Sequence, residues 1–154
     1  MTIDSKDVIA LLQGVNPLLT GPVLLHLDAM GHSDSVAVVD AHFPAARVGR
    51  VVVDLPGTTS PEVLAAVCSV LPADDAPALD LMTSADGSVL PVQEELVEAA
   101  GLRPDAVRYV DRFAYYDLVT DAHLVLRTGE TRVYGNALYR KGLVTLGAPD
   151  GSSS

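Results

Sequence analysis

Ser35-Val-Ala-Val-Val39 runs directly into Asp40-Ala-His-Phe-Pro44. The first five residues are apolar after the serine and rich in β-branched side chains. A short continuous run of this kind reads as a strand buried on both faces, as strands are in mostly parallel sheets. The polar residues that follow then lie where open α/β sheets collect ligands, at the carboxyl ends of the strands. Upstream, residues 20–30 read as a helix: Thr20 can cap it, Pro22 suits its first turn and Gly31 stops it. Downstream, 51–55 is a second strand, closed by Pro56-Gly57. Ser60-Pro61-Glu62 then opens a helix with a cap, a proline and an acid in order. Val63, Leu64, Val67, Val70 and Leu71 recur at core spacing and carry it to about residue 71.

The rest of the chain repeats the alternation. Strands are expected at 78–82, 107–110, 123–127 and 137–145, and helices at 5–13, 91–100 and 112–121. This pattern predicts a single α/β domain over 1–146, with a largely parallel or mixed sheet between two helical layers. The Gly-, Ser- and Asp-rich tail, 147–154, is expected to be disordered. The length of 154 residues fits one domain. Hydrophobic residues make up 49% and charged ones 19%, which excludes an intrinsically disordered chain. Ten basic against 20 acidic residues leave a net charge of −10, so nucleic acid and anionic membrane are excluded as partners. With Cys68 alone, no internal disulfide or cysteine-based zinc site can form, and a buried, inert thiol is expected. No apolar run reaches the ~18 residues of a membrane span, and the N-terminus lacks the pattern of a signal peptide. A soluble cytoplasmic protein is expected.

Three polar clusters are candidates for chemistry. The first is Gly31-His-Ser-Asp34 with Asp40-Ala-His-Phe-Pro44, which sets His32, Asp34, Asp40 and His42 around one strand. The two halves start from opposite ends of it, and a five-residue strand is roughly 17 Å long. Either the loop folds back or the site is completed from elsewhere. The plainer reading makes His32 a helix-end cap and Asp40 a loop cap. The spacing fits no compact metal-ligand pattern, so no metal is expected. The second is Arg108-Tyr-Val-Asp-Arg-Phe-Ala-Tyr-Tyr116, where helical spacing brings Arg112, Tyr115 and Tyr116 together. Tyr109, Phe113 and Tyr116 are expected mainly to pack. Arg112 starts a helix against the dipole, a place that asks for an anionic or hydroxyl-rich partner. The third is Thr128-Gly-Glu-Thr-Arg-Val-Tyr-Gly-Asn136, continuing to Gly142, in which Tyr134-Gly135-Asn136 offers a phenol, a backbone that allows close approach, and an amide. This set donates and accepts hydrogen bonds and suits a neutral polyhydroxyl ligand, although a turn with glycine at positive φ would use the same residues. Dinucleotide, Walker and nucleophile-elbow motifs are missing. An enzyme with neither cofactor nor covalent nucleophile is left with proton transfer.

Taken together, the clusters resemble the RbsD/FucU family of D-ribose pyranases and L-fucose mutarotases. The resemblance covers about 17–142 and rests on Met-Gly-His-Ser-Asp at 30–34, Asp-Ala-His-Phe-Pro at 40–44, Arg-Phe-Ala-Tyr-Tyr at 112–116, and Thr-Gly-Glu, Tyr-Gly-Asn and Lys-Gly between 128 and 142. His42-Phe43, Gly135 and the Arg-Phe-Ala motif are similar to the fucose branch. The absence of histidine from 43 to 122 also argues against the ribose branch. The resemblance implies that His32 is the catalytic acid/base and that Asp40, Arg112, Tyr134, Gly135 and Asn136 contact a sugar. It implies no cofactor, and rings of subunits, commonly decamers, with sugar sites close to subunit boundaries. The segment 1–10 and the serine-rich tail depart from the family pattern. The mechanism expected is mutarotation: His32 and Tyr134 move protons at the two oxygens of a hemiacetal. Competing readings are a pyranase acting on another sugar, a non-catalytic sugar-binding partner of a transport system, and a metal-dependent isomerase. His42 lines the pocket or packs beside Phe43, and the second is preferred.

Overall fold

The computed structural model describes residues 12–75 and 77–146. The helix expected at 5–13 lies almost wholly outside this range, as does the tail 147–154; residues 12 and 13 are in bend and turn. Twelve elements follow in order: α1 Gly21–Ala29, β1 Ser35–Val39, α2 Ala45–Val48, β2 Val52–Leu55, α3 Ser60–Cys68, β3 Leu79–Met82, α4 Pro91–Ala100, a turn of 3₁₀ helix at Pro104–Ala106, β4 Val107–Val110, α5 Arg112–Asp121, β5 Leu124–Thr128 and β6 Ala137–Arg140.

The strands form one sheet in the order β2-β5-β1-β6-β3-β4. β2, β5 and β1 pair in parallel, as do β3 and β4, while β6 runs antiparallel between β1 and β3. Five strands therefore point the same way. Their carboxyl ends share one rim of the sheet with the amino end of β6; this is called the carboxyl rim below, and the opposite one the amino rim.

Because side chains alternate along a strand, β1 feeds two cores. Val36 and Val38 join Leu79, Leu81, Leu124, Leu126 and Tyr139 under α1, α3 and α4. Ala37 and Val39 join Met82, Val125 and Leu138 under α2 and α5, with Phe43, Tyr115 and Val119. This is the expected three-layer α/β/α arrangement. The buried aromatics do not leave their hydroxyls unpaired: Tyr115 donates to the Ala137 carbonyl at 3.0 Å and Tyr139 to that of Leu71 at 2.9 Å.

Several local expectations change. The α3 cap is Thr59, whose hydroxyl accepts from the Glu62 N–H; Ser60 is freed for another task. The helix ends at Cys68 instead of residue 71. β6 stops at Arg140 instead of running to 145, because Gly142 docks on the 72–75 loop. Its N–H donates to the Pro72 carbonyl at 2.8 Å, and a Cβ there would sit 2.2 Å from the Ala73 carbonyl oxygen. Thr20 stands at the start of α1 without a side-chain cap bond, and the far end of that helix is closed by Lys141, whose ammonium donates to the Leu27 and Met30 carbonyls. α2 and the 3₁₀ turn are too short for a periodicity argument to find. Cys68, expected to be buried, is only half-buried, and desolvation pushes its thiol up to about 12, which keeps it protonated. Among the described residues no helix is long and apolar enough to cross a membrane.

Candidate functional site

The carboxyl rim gathers most of the expected residues. Asp40 leaves β1 there and is 3% exposed, as is Asn136, which enters β6 beside it. The Asp40 N–H donates to Asn136 Oδ1 at 2.9 Å, and Asp40 Oδ1 accepts from the His42 N–H at 3.0 Å. The loop-cap reading of Asp40 is therefore correct as far as it goes, and the Asp40 backbone is tied to the Asn136 amide oxygen. Burial raises the Asp40 carboxyl above its ordinary range, although bonds from His42, Phe43 and Asn136 oppose this. The folded chain thus holds this proton more tightly than the unfolded chain. The group opposes folding fully above its raised pKa, and the penalty shrinks as pH falls below that value and is gone below the ordinary carboxylate range. Asp40→Asn keeps an oxygen for His42 and lacks the charge. Its thermal midpoint at pH 7 is expected to equal or exceed that of the parent, with the difference shrinking in acid. A calorimetric midpoint several degrees below the parent would contradict this.

Tyr134-Gly135-Asn136 is held by a network that the sequence reading missed. Glu130, 4% exposed, accepts from the Arg132 N–H, Nε and Nη2 at 2.9–3.1 Å, and Arg132 reaches on to Glu95 of α4. These bonds keep the Glu130 carboxyl below the ordinary range. Ser60, expected as a helix cap, instead donates its hydroxyl to the Gly135 carbonyl at 2.6 Å, and the Thr128 hydroxyl donates to the Val39 carbonyl. The residue at positive φ is Tyr134, at +63°, and not Gly135. Gly135 is required by space: a Cβ would meet Glu130 Cγ at 3.0 Å and Ser60 Oγ at 3.1 Å. Tyr134 thus takes a conformation that costs on the order of 1 kcal/mol for a residue with a Cβ, and the surrounding bonds impose it.

Arg112 also reaches this rim, at the start of α5. The unfavourable dipole is answered locally, because Asp111 caps the helix through the Phe113 and Ala114 N–H groups. The guanidinium lies over the Phe113 and Tyr116 rings, 5.3 and 5.8 Å from their centroids. Phe43 packs edge-on against Tyr115 and Tyr116. Tyr115 is fully buried core, whereas Phe113 is 69% exposed, contrary to the packing role expected of it. His42 does not act through Phe43: its Nε2 donates to the Thr131 carbonyl at 3.0 Å and ties the two rim loops together.

His32 lies at the other rim. It precedes β1, and at ~3.3 Å per residue the run from Asp34 to Asp40 spans about 20 Å. The 31–34 turn does not fold back over the strand. Asp34 Oδ2 accepts from the Gly31 N–H at 2.7 Å, and Ser33 stands at φ +69° with its N–H on the Lys141 carbonyl. His32 is no helix cap either. Its Nε2 donates to Asp74 Oδ1 at 3.1 Å, and its side chain is 52% exposed. The structure therefore brings Asp40, Arg112, Tyr134, Gly135 and Asn136 to one rim and leaves His32 at the opposite one. Among the described residues there is no group of three or more His, Cys, Asp or Glu side chains able to hold a metal ion.

Solved structures share this fold. Protein Atu2016 matches at 32% identity and a TM-score of 0.81, over 88% of this chain and 97% of its own. FucU from Bifidobacterium longum matches at 30% identity and a TM-score of 0.77, over 86% and 100%. The fucose mutarotase from Streptococcus pneumoniae, solved in complex with L-fucose, matches at 26% identity and a TM-score of 0.78, over 87% and 100%. The model of the RbsD / FucU transport protein family matches residues 13–144, and the chain belongs to that family.

Proposed function

We propose that this protein is a mutarotase that interconverts the α and β anomers of L-fucose or a related free monosaccharide. The observation that carries the reading is the bond locking Asp40 to Asn136, within a rim that also holds Arg112 and Tyr134. Carboxylate, amide, guanidinium and phenol together offer donors and acceptors to a ring of hydroxyls, with aromatic faces beside them. L-Fucose in the complex of the pneumococcal relative supports the sugar class.

The reaction needs two proton movements. A base takes the proton from the anomeric O1–H, the C1–O5 bond breaks as C1 becomes an aldehyde, and an acid protonates O5. Rotation about C1–C2 and the reverse steps close the other anomer. His32 serves as base at O1 and returns the proton on closure, while Tyr134 gives and regains the proton at O5. Asp40 and Asn136 hold hydroxyls, and Arg112 favours negative charge on oxygen as the ring opens. Positioned acid/base groups supply roughly 10²–10⁴-fold, sufficient for a reaction that already proceeds in water.

One chain does not hold both halves of this set, so the reading places His32 of one copy against the carboxyl rim of a second. An open hollow of about 400 Å³, bordered by Leu24, Leu27, Val70, Leu71, Lys141 and Val144, supports a contact on this side, because the Lys141 carbonyl accepts from the Ser33 N–H next to His32. Symmetric self-assembly would repeat the pairing at every boundary.

Saturation-transfer NMR tests the function. The expected result is accelerated anomer exchange on L-fucose, weaker on D-galactose and weakest on D-ribose. Binding of sugar with exchange left at its rate in buffer would favour the non-catalytic reading. Tyr134→Phe is expected to lower kcat by roughly 10²-fold with KM little changed, if the phenol moves a proton. Equal losses in both parameters would reduce Tyr134 to a binding group.

A further inference from the structure

We infer that His26 and His123 form a binding site for a divalent transition-metal ion of the zinc, nickel and copper class, separate from the residues given to the sugar. Of the four histidines in the chain, His32 and His42 are accounted for above. The other two lie far apart in sequence and meet only through the fold, with ring centroids 5.8 Å apart and planes tilted by 59°.

The pair is held from both sides. His123 immediately precedes β5, and its N–H donates to the Ser35 carbonyl at 2.9 Å, which joins it to the start of β1. His26 stands in the last turn of α1, between Val23 and Leu27, which anchor that helix in the core. Both histidines are half-buried, so the pair opens at the amino rim and does not lie inside the core. Metal–nitrogen bonds of about 2.0–2.1 Å place two imidazoles on one ion with ring centres roughly 5–6.5 Å apart, from a tetrahedral to a linear angle. The observed separation falls inside that window.

The second observation is an orphan. His123 Nε2 is buried and has no hydrogen-bond partner, the one buried side-chain polar atom so placed among the described residues. A buried nitrogen without a partner forfeits its hydration and calls for an explanation. A neutral imidazole carries a lone pair on one of its nitrogens, and that lone pair is a metal ligand. Imidazole suits zinc, copper and nickel, whereas magnesium and calcium prefer oxygen. A net charge of −10 draws cations to the chain. Two protein ligands leave the remaining positions to water, so the ion is exchangeable, in keeping with the lack of any three-ligand group among the described residues. Once bound, it ties the end of α1 to the start of β5 and favours the folded chain.

The test is titration of the full-length protein, without an affinity tag, with zinc and nickel chloride. Calorimetry gives the stoichiometry and affinity, and the ¹⁵N signals of the histidine rings give the place. One ion per chain is expected. Zinc should shift the His26 and His123 rings together and leave His42 unmoved, while magnesium at the same concentration shifts neither. Loss of a mere second-shell partner costs a metal site about 10–100-fold, so His26→Gln and His123→Gln should each weaken binding about tenfold or more. His32→Gln should keep the parental affinity. Zinc should raise the thermal midpoint of the parent and leave that of His26→Gln where it is. Rings unmoved at millimolar zinc, shifts confined to His32, or either glutamine variant within twofold of the parental affinity would overturn the inference. Should His123→Gln fail to fold, the parental ring spectrum and His26→Gln, on a partly exposed helix face, still decide. None of these readouts uses sugar or anomer exchange, so the result is independent of the proposed function.

Discussion

Replacing His32 by glutamine is expected to cut anomer exchange by roughly 10²–10⁴-fold, the range that a positioned acid/base group supplies. Glutamine spans a similar length and keeps an amide N–H that can face Asp74, but it cannot cycle a proton near neutral pH. The side chain is 52% exposed and lies on a turn outside both cores, so the thermal midpoint should move little. Sugar affinity should also fall only modestly, because the groups proposed to hold hydroxyls lie on the other rim. The informative pattern is a collapse of kcat at nearly constant KM and constant stability. Saturation-transfer NMR supplies the rate and calorimetry the midpoint. Exchange within threefold of the parent would remove His32 from the reaction.

The second large effect is expected from Asn136→Ala, and it differs in kind. Asn136 Oδ1 takes the buried Asp40 N–H, so alanine leaves that donor unpaired at a site 3% exposed. An unsatisfied buried group costs about 1–3 kcal/mol, which should appear as a lower midpoint. A ligand of the proposed site also loses the amide. Affinity should fall up to about tenfold, since a neutral hydrogen bond contributes roughly 0.5–1.5 kcal/mol. Exchange at saturating sugar should then suffer less than exchange at low sugar. A variant with parental affinity and parental midpoint would show that the Asp40–Asn136 lock is idle.

The fold was legible wherever local chemistry decides. The apolar run 35–39, the Ser-Pro-Glu start at 60–62 and the Gly101 stop are short-range signals, and the elements lie within a few residues of expectation. The antiparallel placement of β6 between β1 and β3 was not legible. Its pairing with β1 residues about a hundred positions away and β3 residues about sixty away depends on no turn signal. The end of β6 was missed because Gly142 meets Ala73, a contact with no trace in the sequence near either residue. Of the candidate site, the residues of the carboxyl rim were found by their grouping at strand ends. Glu130 carried a weak local signal, an acid two residues before Arg132 and just after a Thr-Gly turn. Ser60 was misread because Thr59 beside it is an equally good cap, and only the Gly135 carbonyl above the helix start tells the two apart. Asp74 gave no signal at all. The distance between His32 and Asp40 was anticipated from strand length, and the sheet places them on opposite rims as that arithmetic warned.

That separation makes mixing of two impaired variants the most direct test of the proposal of a site shared between copies of this chain. His32→Gln and Asn136→Ala chains are co-expressed in equal amounts, purified as mixed assemblies, and assayed for anomer exchange at sub-saturating L-fucose. On the proposed reading each boundary draws its His32 from one chain and its Asn136 from the other. Random assembly therefore restores an intact pair at about one quarter of the boundaries, and the rate should recover to about a quarter of the parent's. A mixture no more active than the average of its two components would contradict the account.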